Sequence, residues 1–200
     1  MNKNIKKLLA DISVKCIKNG ISFKLEYAPQ VDVKNIPCSG YFDEESLVVA
    51  VKKRKTNDWL DILVHESCHL DQCLEKSKYW YKDEVTLDIV EGYLKGKNYS
   101  KTRLKTAFIN TINLEMDCEK RTIRKMKKYN IKFNTSLYIQ KANSYLFGYG
   151  IVYKTKVWPK TPYESPLIYK KMPKTFLNAE SYLNIDDRIM KLYEKNNKTP

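Results

Sequence analysis

Val64 to Gln72 read VHESCHLDQ and hold both histidines of the 200-residue chain, four positions apart, with a glutamate directly after the first. On a helix, positions four apart bring their β-carbons to roughly 5–6 Å, so the imidazoles of His65 and His69 can converge on one ion. Glu66, about 100° further round such a helix, lies beside that ion. This is the HExxH arrangement: two neutral imidazoles hold zinc, and the adjacent carboxylate, turned too far to ligate, takes a proton from the water that the ion acidifies. The chemistry it serves is hydrolysis.

A catalytic zinc takes three protein ligands and leaves its fourth position to water, so one donor must come from elsewhere. Glu75 stands ten residues after His65, but Gln72 occupies the place where a glycine would let the helix break and turn back. Cys118 would complete a set of two imidazoles and a thiolate, against its plainer reading as a small buried hydrophobe. Glu115 and Glu119, in NLEMDCEKR, fall on an otherwise apolar helical stripe, where an unpaired carboxylate is costly. A cation facing them removes that cost: one can ligate and the other can receive the N–H of a ligating histidine. The structural alternative pairs them with Lys or Arg, of which the chain has 37.

Two helices must hold these side chains. Trp59, Ile62, Leu63, His69, Leu70 and Cys73 share one stripe and predict a helix from about 58 to 76, capped by Thr56 or Asn57. Leu104, Phe108, Ile112, Glu115, Glu119, Thr122 and Met126 predict a long helix over about 100–129. Upstream, Ile5, Leu8, Leu9, Ile12, Cys16 and Ile17 give a first helix stopped by Gly20. ISFKLEY (21–27) alternates like a strand, PCSG (37–40) marks a loop, DEE (43–45) a turn, and SLVVAV (46–51) the best strand of a small sheet. KKRKTN (52–57) and KYWYKDE (78–84) read as connections, the second leading to a helix over about 84–95 that Gly96 closes. Thr135 or Ser136 starts a further helix, SLYIQKANSYLFGY. KVWPKTPYESP (156–166) is too proline-rich for regular structure and reads as a surface arm, IDDRIMKLYEK (185–195) as a terminal helix, and KNNKTP as a frayed end.

The 42% hydrophobic content fits a globular chain with a sizeable core. Five cysteines without CxxC spacing argue for reduced thiols and a cytoplasmic setting rather than a disulfide framework. The N-terminus lacks the continuous apolar core of a signal peptide, and no stretch is long and apolar enough to span a membrane. The net charge of +14 can attract nucleic acid or acidic proteins. Without a run of five or six basic residues, it equally fits a lysine-rich solvated face.

HESCH followed by a helix bearing ExxxE resembles the gluzincin branch of the zincin metallopeptidases, whose pattern is HExxH and then ExxxD on the next long helix. The order HExCH, ExDCExR, YIQKAN, over roughly residues 40–150, is similar to small zincin-like proteins of bacteriophages and bacteria. The resemblance implies a Zn2+ metallopeptidase acting on a protein or peptide, in the host cytoplasm if phage-encoded. It carries the ligand role onto Glu115 and the orienting role onto Glu119, which stands where the family has Asp and is the alternative ligand. It also implies an edge strand above the metal helix on which an extended peptide adds, and SLVVAV is the matching element. Tyr138, Asn143 or Tyr145 can supply the donor that a tetrahedral oxyanion requires. The expected fold is therefore α+β and zincin-like, mostly helical with a small N-terminal sheet, over 1–155, followed by an irregular arm and terminal helix over 156–200. Two rival functions stand beside it: a non-catalytic zinc-containing binding protein, and a basic nucleic-acid-associated protein acting on DNA-bound proteins.

Overall fold

The first apolar period becomes α1 (Lys3–Lys18) in the computed structural model, which describes residues 1–33, 36–52, 56–80, 83–160 and 162–197. Asn2 caps α1 by accepting from the Asn4 N–H, and Ile5, Leu8, Ile12 and Cys16 form the buried stripe. Ile17 points outward instead, 72% exposed. Gly20 then takes a φ of +71°, which a side chain disfavours, and the chain turns into the sheet. The whole is a mixed α+β protein, mostly helical with a small N-terminal sheet, and no described helix is long and apolar enough to cross a membrane.

Two compact units divide the chain, and each draws on two stretches of sequence. The first takes Met1–Ser77 and Cys118–Phe133, the second Lys78–Asp117 and Asn134–Pro200. Where the sequence suggests a break near residue 156, the residues on both sides of it belong to the second unit.

In the first unit, β1 (Ser22–Glu26), β4 (Gly40–Phe42) and β5 (Ser46–Ala50) form a three-stranded sheet in the order β1-β5-β4. β1 runs parallel to β5 and β4 antiparallel to it. SLVVAV is therefore the central strand, not the edge expected from the resemblance. The physical reason is in its residues: Leu47 and Val49 join the core under α1, whereas Val48 and Ala50 pack with Val31 on the other face. A strand covered on both faces needs an unbroken apolar run. The edges are β1 and β4. The loop expected at 37–40 is largely strand, since Cys38 ends β3 (Ile36–Cys38), which pairs with β2 (Val31–Val33), and Gly40 begins β4. A β-carbon at Gly40 would stand 2.8 Å from Ile62 Cγ2 and 3.0 Å from the Val48 carbonyl oxygen, so glycine is what lets β4 lie flush on the next helix, α2 (Thr56–Leu74). The DEE turn forms as expected, with Asp43 Oδ1 accepting from the Glu45 and Ser46 N–H groups. The expected cap at Thr56 or Asn57 lies outside the described side chains.

The second unit is helical: α3 (Asp83–Leu94), the first part of α4 (Lys101–Lys128), α5 (Thr135–Thr155), α6 (Pro166–Tyr169), α7 (Ala179–Leu183) and α8 (Asp187–Asn197). α5 starts at Thr135, as the sequence suggests, and Asn134 caps it by accepting from the Leu137 N–H. α5 runs past Gly148 and Gly150 to Thr155. At Gly150 a β-carbon would fall on the Tyr182 carbonyl oxygen, so this glycine admits α7 against α5. The arm over 156–166 packs rather than waving free. Pro159 and Pro162 are buried, and the Trp158 ring meets Tyr145 and Tyr149 edge to face at 5.7 and 5.0 Å. Near the C-terminus, where fraying was expected from Lys195, α8 continues to Asn197, because Asn196 is buried and donates to the Lys160 carbonyl at 2.7 Å.

Candidate metal centre

α2 is gripped from two sides, and that sets its rotation. Leu60, Leu63, Val64, Cys68 and Leu70 are buried in the core of the first unit. From α4, the Lys125 ammonium donates to the Ser67 carbonyl and hydroxyl oxygens, both at 2.9 Å, and pairs with Asp71 at 2.7 Å. Cys118, Thr122 and Lys125 recur at helical spacing, so the contact that anchors Lys125 also turns Cys118 toward α2. The Cys118 sulfur accordingly lies 3.2 Å from the His65 carbonyl oxygen and 3.6 Å from His65 Nδ1.

The two imidazoles meet edge to face, with centroids 4.8 Å apart and Nε2 atoms 3.1 Å apart. Their other nitrogens face oxygens: His69 Nδ1 lies 2.9 Å from Gln72 Oε1, and His65 Nδ1 lies 3.3 Å from Glu119 Oε1. An amide oxygen and a carboxylate accept, and with their protons given to these acceptors from Nδ1 the two rings present their Nε2 lone pairs to one another. Two lone pairs at that separation repel unless a cation stands between them. Zn–N bonds of 2.0–2.1 Å at a tetrahedral angle place two nitrogens about 3.3 Å apart, close to the spacing here. The donor atoms of His65, His69 and Cys118 lie within 4.8 Å of one another, and together they can bind a metal ion.

Burial shapes the surroundings. His69 and Glu119 are only 8% and 6% exposed. Burial pushes the Cys68 thiol up, but the Cys118 hydrogen bond, the Lys125 ammonium and the Thr122 hydroxyl outweigh it and bring it down to about 6. Glu66 is half-buried on α2. Burial raises the Cys38 thiol at the end of β3, and the Glu66 carboxylate adds to that shift, which places Glu66 within electrostatic reach of the β3–β4 corner.

Among the residues singled out from sequence, His65, Glu66, His69, Cys118 and Glu119 belong to this first unit. Glu115 belongs to the second, where the Tyr149 hydroxyl donates to its Oε1 at 3.3 Å. Tyr138, Asn143 and Tyr145 are all on α5, also in the second unit. Both Asn143 amide hydrogens are taken by the Pro173 and Thr175 carbonyls, and its oxygen accepts from Tyr182, so this residue ties α5 to the segment before α7. Tyr145 shares a hydrogen bond of 3.2 Å with Tyr149. Glu75 is held by Arg121 at 2.6 Å. Sequence reasoning missed Gln72 and Lys125; Gln72 follows His69 by three and so shares its helical face, a signal open to inspection. No protein-family model matches the chain, and no curated protein or solved structure matches it significantly.

Proposed function

We propose that this chain is a zinc-dependent peptidase of the zincin type. The observation that supports it most directly is the pair of Nε2 atoms 3.1 Å apart, each ring held by an acceptor on its far side, beside the half-buried Glu66. His65, His69 and Cys118 hold the ion, with Cys118 rather than Glu115 as the third ligand, while Glu119 and Gln72 orient the imidazoles. When bound, zinc acidifies a water and polarises the scissile carbonyl. Glu66 receives the proton and returns it to the leaving amine. β4 is a sheet edge in contact with α2, so an extended peptide can add to it through main-chain hydrogen bonds. Its approach past Cys38 brings it toward the carboxylate that acts on that thiol.

Zinc content and turnover of a fluorogenic peptide library, measured on the same purified variants, test the reading. Glu66→Gln should keep its zinc while turnover falls about 10²- to 10⁴-fold. Cys118→Ser should lose more zinc than Glu115→Ala, and the reverse order returns the third ligand to Glu115. A wild-type protein that holds zinc and cleaves no peptide would sink the peptidase assignment and favour a non-catalytic metal protein.

A further inference from the structure

On α2, Ser67 and Asp71 lie about half a turn away from the two histidines, and on that side they line a cavity of about 260 Å³ shared with α1 and α4. Five cationic side chains surround it, Lys15 from α1 and Arg121, Arg124, Lys125 and Lys128 from α4, against two carboxylates, Asp11 and Asp71. Both carboxylates are engaged. Asp71 accepts from Lys15 at 2.6 Å and Lys125 at 2.7 Å, and Asp11 accepts from the Tyr129 hydroxyl at 2.7 Å. Arg121 pairs with Glu75. Arg124 and Lys128 have no carboxylate partner among the described residues; the Lys128 ammonium lies 5.8 Å over the Tyr129 ring, which uses its charge and none of its N–H donors. The helix dipole accounts for cations in the last turn of α4, where Lys125 and Lys128 sit. It does not account for Arg121 and Arg124 before that turn, or for Lys15 on another helix.

Five cations against two engaged carboxylates leave the lining net positive, which is unfavourable without a further anion. We propose that this cavity binds a phosphate group, held by Arg124 and Lys128 with Lys15 facing them from α1. A guanidinium fork matches two phosphate oxygens at once, and two cations without a carboxylate partner suit a dianion better than a single carboxylate. The volume exceeds that of bare phosphate, and Leu8, Ile12 and Leu70 in the lining give an organic substituent an apolar floor. The proposed ligand class is a phosphate ester, either a small metabolite or the phosphorylated end of a nucleic-acid strand.

The full chain is titrated with inorganic phosphate at constant ionic strength, and with a short oligonucleotide carrying or lacking a 5′-phosphate. Saturable phosphate binding is expected. Replacing Arg124 and Lys128 together by Ala should weaken it at least about tenfold, the scale of one charge-assisted hydrogen bond. Both side chains are exposed, so a thermal melt should show the fold kept. Lys127→Ala removes an equivalent charge from an exposed position outside the lining and should leave binding unchanged. Tighter binding of the phosphorylated strand than of its unphosphorylated twin assigns the site to a strand end; binding of free phosphate with no difference between the strands assigns it to a small ester. Absence of saturable phosphate binding, or equal loss in the Lys127 variant, overturns the proposal.

Discussion

Gln72 and Glu119 each present an oxygen to a histidine Nδ1, on the side of the ring away from the shared Nε2 contact. Partners of this kind typically contribute about 10- to 100-fold in metal affinity. Gln72→Ala and Glu119→Ala should each weaken metal binding by that factor, read with zinc by competition with a chromogenic chelator; unaltered affinity in both would mean that the rings hold their orientation without them. At this scale legibility tracks sequence distance. His65, Glu66, His69 and Gln72 lie within two helical turns, so the 3.6-residue period alone puts the imidazoles together. The third donor is different. Counting along α4 sets Glu115 and Glu119 on one stripe and leaves Cys118 to one side, and the choice depends on how α4 is rotated against α2. That rotation is fixed by Lys125 reaching Ser67 and Asp71, more than fifty residues away in sequence.

An unbroken apolar strand and a glycine inside a helix both record a neighbour that the sequence does not name. Leu47 to Ala50 do not alternate, which was a legible sign of a central strand, although which strands flank it was not. Gly150 looks like a weak point in α5, since alanine favours an isolated helix by about 1 kcal/mol over glycine. Packing reverses the sign. A methyl group there would meet the Tyr182 backbone, so Gly150→Ala should destabilise the protein by roughly 1–3 kcal/mol in urea melts, and a stabilised variant would show that α7 can move aside. Between α1 and α4, burial first and then the Asp11 hydrogen bond push Tyr129 from 10.0 up to about 12. A phenol raised on folding contributes stability below pH 10 that is lost as pH climbs toward 12. The difference in melting temperature between wild type and Tyr129→Phe should therefore shrink across that interval, and a difference independent of pH would contradict the assignment.

For the molecule as a whole, a metal that binds the native chain and not the unfolded one stabilises it by mass action, about 2.7 kcal/mol when free ion stands at 100 times its dissociation constant. Chelation should lower the melting temperature and zinc should restore it in a dose-dependent way; a melt indifferent to both would argue that the histidine pair stays empty. Proline content makes residues 156–166 legible as irregular, but the burial of Pro159 and Pro162 depends on the surface α5 offers. The interleaving of the two units has a further bearing, on how the protein is made. His65 and His69 leave the ribosome early, yet Cys118 and Lys125 follow only after all of Lys78–Asp117 has been synthesised. Neither unit is complete while its second stretch is still untranslated, so for that interval a nascent chain carries the histidine pair without Cys118, open to a chaperone or a scavenging metal ion.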